Sequence, residues 1–160
     1  MTTNGCANGC LSGDSLIETV DGPVAIGTLA GKSMPVLTRL PDRRVGFRLM
    51  TKIACTATAV PVVRVGFDNG QQVVVDRANV FYGQGLVERP VETLTVGETL
   101  DTSFHFPAGY EFRRLDGSAA ISVGAVRVES IEDAGTADVF GGIVNETARY
   151  FLTAGVLCKA

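Results

Sequence analysis

Gly9-Cys10-Leu11-Ser12-Gly13-Asp14-Ser15-Leu16-Ile17 is the stretch from which the rest of the chain is read. A cysteine directly follows a glycine, and a polar turn then opens into an apolar strand. A sulfur at Cys10 lies one peptide link from the Gly9 carbonyl. An oriented intramolecular nucleophile of this kind reaches effective molarities of about 10⁵–10⁸ M. Gly9 has no side chain to obstruct the attack. The remainder of the chain is therefore asked whether it supplies a scaffold and the rest of a self-cleaving site.

Working outward, 160 residues suit one domain with its own core. A net charge of −3 and scattered basic residues give no electrostatic case for nucleic acid, which wants clustered Lys and Arg. The pairs Arg43-Arg44 and Arg113-Arg114 read as solvated edges. No apolar run approaches the roughly 20 residues of a membrane span. Met1 to Gly9 has no basic region and no hydrophobic segment, so it does not read as a secretory signal. Cys6, Cys10, Cys55 and Cys158 lack the paired spacings and histidine partners of a zinc site, and neither metal nor cofactor is expected. The thiols are read as mostly reduced, with a Cys6–Cys10 disulfide as either an artefact or a redox latch.

Residues 1–9 read as a flexible flanking segment and residues 10–160 as the domain. Strands are expected from Ser15 to Val20, over Pro35–Thr38, Val45–Met50 and Lys52–Thr58, and from Val63 to Phe67. Between them, Val24–Leu29 reads as a bend or single helical turn burying Ile26 and Leu29. Asp68-Asn69-Gly70 marks a tight hairpin, since Asn-Gly tolerates positive φ, and Gln72–Val75 is its return strand. Gly85 to Gly97 weakly echoes Gly22 to Gly31: in each, an aliphatic residue stands three before a leucine and a glycine closes the bend. That echo fits a pseudo-symmetric β-fold. Residues 101–122, with His105, read as an irregular loop. Ala125–Ile131, Ala137–Val144 with a glycine bulge, Arg149–Leu152 and Val156–Cys158 complete a nearly all-β chain.

Four of these stretches together resemble the hedgehog–intein (Hint) family. Cys10 to Ile17 is similar to its first block, and Asp68-Asn69-Gly70 with Val74–Phe81 sits where its second lies. Ala137-Asp138-Val139 resembles the strand opening the penultimate block, and Arg149–Leu157 the closing one. The resemblance implies an all-β, horseshoe-like fold with pseudo-two-fold symmetry and adjacent termini. It also implies a minimal intein-like domain without an endonuclease, monomeric and cytoplasmic, in a bacterial or phage-encoded host. Its only partner would be its own flanking polypeptide, and its activity would be self-processing rather than turnover.

The same resemblance assigns roles. The Cys10 sulfur would attack the Gly9 carbonyl in an N-to-S acyl shift. Where the family carries Thr-x-x-His, this chain has Asp76, Arg77, Ala78 and Asn79. Asn79 hydrogen-bonds but exchanges no proton near neutral pH, and losing a positioned acid–base typically costs about 10²–10⁴-fold. Asp138 or Asp76 would be the partial substitutes. Where the family ends in His-Asn, this chain has Lys159-Ala160. Ala160 has no side-chain amide, so asparagine cyclisation is impossible there, and Lys159 is a poor proton shuttle. At most the N-terminal bond would break. Cys55 and Cys158 read as packing residues, His105 as a loop residue and Asp76 as a turn residue. A rival reading keeps the scaffold as a structural or interaction module; a lipid-transferring hedgehog-like role lacks a sterol-binding segment.

Overall fold

The computed structural model describes residues 10–102, 109–113, 116–121 and 126–160. The expectations for residues 1–9 and for His105 lie outside these. The first strands are β1 (Leu11–Ser12), β2 (Leu16–Thr19), β3 (Gly22–Ala25) and β4 (Met34–Arg39). Then come the long β5 (Val45–Phe67), β6 (Gln72–Asp76), β7 (Val80–Tyr82), β8 (Glu88–Pro90) and β9 (Thr99–Leu100). The last are β10 (Glu111–Arg113), β11 (Ala119–Ile121), β12 (Val126–Val144), β13 (Arg149–Phe151) and β14 (Leu157–Lys159). Among the described residues the helical content is three single 3-10 turns.

An eight-stranded sheet runs β3-β2-β4-β5-β6-β1-β12-β9, with β12 also pairing β5. A second sheet of four strands runs β13-β14-β7-β8. Tyr150 and Phe81 fill the main core, and Phe151 packs with Tyr82 and Leu157 in a separate cluster; these three are the largest fully buried side chains. Leu152 bridges Ile17, and Thr153 N–H donates to the Leu16 carbonyl at 3.0 Å, so the closing hairpin is sewn to β2. This is the all-β architecture that the sequence led us to expect.

Two expected features are replaced. The three strands read between Val45 and Phe67 are one strand of 23 residues, and the two read between Ala125 and Val144 are one of 19. They run antiparallel from the Val128–Phe67 pair to the Val144–Met50 pair, with several register shifts. Each shift breaks the period-two pattern, and Lys52 (φ 55°) and Ala59 (φ 51°) adopt left-handed backbone within β5. In sequence such a break looks like a strand end. The expected irregular stretch after residue 101 holds a two-stranded sheet, β10 with β11.

The internal echo is structural. β3 runs into a 3-10 turn whose Ile26 and Leu29 are buried; β8 runs into another whose Val91 is buried, with buried Leu94 directly after it. Gly31 (φ 79°) and Gly97 (φ 95°) close the two units. Each glycine N–H then reaches a long strand: Gly31 donates to the Ile53 carbonyl on β5, and Gly97 to the Val128 carbonyl on β12, both at 2.7 Å.

Candidate functional site

β1 is two residues long and lies between β6 and β12, through the pairs Leu11–Val75 and Leu11–Phe140. A strand this short needs its ends fixed. On its C-terminal side Ser12 Oγ donates to the Asp14 carboxylate at 2.7 Å and lies 2.9 Å from Ser15 Oγ, which donates to the Val74 carbonyl at 3.1 Å. Gly27 N–H donates to the Gly13 carbonyl at 2.8 Å. A Cβ on Gly27 would stand 2.8 Å from that same oxygen, so the approach requires glycine. On its N-terminal side the Asp76 N–H donates to the Cys10 carbonyl at 3.3 Å.

Cys10 is fully buried against Val62 and Val139, with Ala57 and Ala137 beside them. Its sulfur lies 3.2 Å from Thr56 Oγ1, which also reaches the Val139 carbonyl at 3.3 Å. Apolar walls oppose charge on the sulfur, which makes a hydroxyl at this distance valuable to it. Cys10 is disulfide-bonded, so the sulfur carries no proton and cannot attack until it is reduced. Cys55 and Cys158 are free thiols.

Asn79 follows β6 by three residues, and its N–H donates to the Asp76 carbonyl at 2.9 Å. It is fully buried. Its Oδ1 accepts the Val80 N–H at 3.0 Å and the Cys158 thiol at 3.2 Å. Its Nδ2 is buried and has no hydrogen-bond partner among the described residues. An orphaned buried amide donor is uncommon, because the great majority of such groups are paired.

The structure brings Cys10, Asp76, Asn79 and Cys158 into one hydrogen-bonded succession that ties the first strand to the last. The remaining candidates are placed differently. The Asp76 carboxylate accepts the Ala78 N–H at 3.0 Å, closing a turn. Asp138 is exposed, and its carboxylate accepts the Ala59 N–H at 3.0 Å. It alternates with Ala137 and Val139, which face the Cys10 cluster, so its side chain leaves the other way. Lys159 donates to the Glu88 carboxylate at 2.9 Å, an ion pair that raises the ammonium pKa and ties up the proton. Ala160 N–H donates to the Ala148 carbonyl at 2.9 Å, and its methyl packs on the main core. Cys55 is exposed rather than packed: among the described residues, β5 has only β12 beside it between the β4 and β6 pairings. Gly9 lies outside the described residues. No group of three or more metal-ligating side chains occurs among the described residues, and none of their helices is long and apolar enough to cross a membrane.

Thr56 was not singled out in the sequence, where it is one of several small residues in an unremarkable run. The Asn79–Cys158 contact was equally hidden, since cross-strand pairing leaves no local signal.

Among solved structures, a variant of the Ssp DnaB mini-intein is 16% identical, with 96% of this chain and 94% of that chain covered and a TM-score of 0.74. This is the Hint fold of the mini-inteins. A DnaB intein from Synechocystis sp. is 15% identical over 95% of this chain and 99% of its own, at a TM-score of 0.71. The bacterial intein-like domain from Clostridium thermocellum is 16% identical over 95% and 99%, at 0.70. No family model matches the chain, and neither does any curated protein. The intein fold is thus carried by a sequence only 15–16% identical to these examples.

Proposed function

We propose that this intein-fold chain is an autoprocessing domain that breaks the peptide link between Gly9 and Cys10. The reduced Cys10 sulfur attacks the Gly9 carbonyl carbon. The S–C bond forms, the C–N bond breaks, and the thiol proton ends on the freed Cys10 amine, leaving a thioester. The Asn79 Nδ2 donor stabilises the oxygen that carries negative charge in the tetrahedral intermediate. The observation that carries this reading is that orphaned donor, buried one turn beyond the backbone amide that holds the Cys10 carbonyl.

Asn79 supplies a hydrogen bond and no proton, so the shift is slower than with a histidine. A positioned oxyanion donor still contributes about 10²–10³-fold. Asp76 acts through its backbone and turn, and Asp138 stays outside the reaction. The downstream bond is not cut, since Ala160 has no amide to cyclise and Lys159 is held by Glu88. The chain acts as a monomer on its own flanking polypeptide.

The test separates reduction from thioester capture. A phosphine reductant frees the Cys10 thiol without cleaving a thioester. Hydroxylamine added afterwards should release residues 1–9, seen as a mass loss, and Cys10→Ala should abolish it. A reduced, folded chain whose mass stays constant for days under hydroxylamine rules the reading out.

The Glu88–Lys159 pair and the alanine at position 160 favour a second reading, a scaffold retained without chemistry. Asn79→His combined with Lys159→His and Ala160→Asn, followed by an appended cysteine, distinguishes them. Recovered cleavage marks a disabled processing domain; continued silence marks a scaffold.

A further inference from the structure

Three fully buried polar side chains lie in series across the four-stranded sheet: Tyr150 on β13, Cys158 on β14 and Asn79 just before β7. Tyr150 and Cys158 are directly paired across β13 and β14, and Cys158 pairs with Phe81 across β14 and β7. The Tyr150 hydroxyl lies within interaction range of the Cys158 sulfur. The thiol has one proton and two acceptors in reach, Asn79 Oδ1 at 3.2 Å and the Lys159 carbonyl at 3.7 Å. The shorter contact takes the proton, so the sulfur donates to Asn79. Beyond it Asn79 Nδ2 has no partner among the described residues.

Which end of the Asn79 amide faces Cys158 is decided by chemistry. The atom 3.0 Å from the Val80 N–H must be an acceptor and is therefore Oδ1. That contact is local and constrains the side chain little by itself. The thiol, arriving from a different strand, supplies the second restraint. With the oxygen held from two sides, the nitrogen has one direction left.

We propose that Cys158, backed by Tyr150, is a positioning residue that aims the Asn79 Nδ2 donor for the acyl shift. The inference rests on the acyl-shift reading and adds two residues to it. A valine at 158 would pack as well and hold nothing. The thiol suits the task because burial pushes its pKa up to about 12, so it stays a proton donor throughout the assay range and does not compete with Cys10 as a nucleophile.

Hydroxylamine release from the reduced full chain gives the kinetic test. Cys158→Val should slow it about tenfold, the equivalent of one ordinary hydrogen bond. Cys158→Ser, which keeps a donor, should recover most of the loss, and Tyr150→Phe should slow release by a smaller factor. The double variant Asn79→Ala with Cys158→Val should be no slower than Asn79→Ala alone, because a residue that acts through Asn79 has nothing left to position. Parent-like release from Cys158→Val, or a double variant slower than Asn79→Ala, overturns the proposal. The Asn79 side-chain amide resonances provide a readout that needs no cleavage. They should shift in Cys158→Val and return towards their parent positions in Cys158→Ser; resonances unmoved by Cys158→Val also overturn it. A silent parent whose amide resonances respond as expected defeats the acyl-shift reading and leaves the positioning standing.

Discussion

The Cys10 sulfur and the Thr56 hydroxyl oxygen stand 3.2 Å apart inside an otherwise apolar pocket. Thr56 has a second partner in the Val139 carbonyl at 3.3 Å, so its single proton can turn to either. While the sulfur is neutral, the carbonyl is the better acceptor; as charge builds on the sulfur, the balance tips. Thr56→Val removes that donor at little change in volume. Release of residues 1–9 should slow by roughly tenfold, a loss of about 1.4 kcal/mol, and Thr56→Ser should retain most of the rate. Alkylation of Cys10 in the reduced protein should be slower in Thr56→Val at a fixed pH, and an unchanged rate would show that the hydroxyl only packs.

Reduction should gate the reaction, because the sulfur of Cys10 is held in a disulfide. Without reductant, hydroxylamine should leave the mass unchanged. The sequence offers Cys6 as the partner, with Cys55 and Cys158 both free. Cys6→Ser should then make release independent of reductant, and non-reducing peptide mapping of the parent should recover the Cys6–Cys10 pair. A reductant requirement that persists in Cys6→Ser would assign the bond elsewhere.

Stability should fall on the alkaline side because of Cys158. Its folded pKa is raised to about 12 from an ordinary 9.0, chiefly by burial. The sign follows from proton counting: above about pH 9 the unfolded thiol loses its proton and the folded one keeps it. The stabilisation is intact below that value and is lost as pH climbs towards 12, by up to about 1.4 kcal/mol per pH unit. Urea unfolding at pH 8 and pH 10.5 should show the drop in the parent and a smaller one in Cys158→Val. Equal drops in both would place the alkaline sensitivity elsewhere.

Gly27→Ala should destabilise the fold through the site's own support. The new methyl would meet backbone atoms of Gly13 at 2.8–3.2 Å, with no side chain able to give way. Overpacking of this kind costs about 1–3 kcal/mol. Gly31→Ala has open space around it and should cost less, from left-handed backbone alone, about 1–2 kcal/mol. Denaturation midpoints in that order would support the assignment, and a neutral Gly27→Ala would contradict it.

Much of the fold could be read from local chemistry. Asp68-Asn69-Gly70 announced its hairpin, with Gly70 at φ 83°. The repeated aliphatic-to-leucine spacing announced the two 3-10 units. The long strands could not be read, because a left-handed residue or a register shift looks in sequence like an ending, and only the partner strand shows that it continues. At the site, Cys10 was visible because its chemistry is contiguous with its neighbour. Asn79 was visible only as a departure from a resemblance. Its burial, its missing partner and its contact with Cys158 depend on residues 79 positions apart, and no window on the chain contains both.

The two long strands have a consequence for how the molecule comes apart. β5 holds β4 through its first turns of register and β6 through its last, while β12 holds β9 at one end and β1 near the other. Neither pseudo-symmetric unit therefore owns a ladder it could keep after the other has gone. Despite these two similar units, the reduced protein should melt in a single step with equal calorimetric and van't Hoff enthalpies.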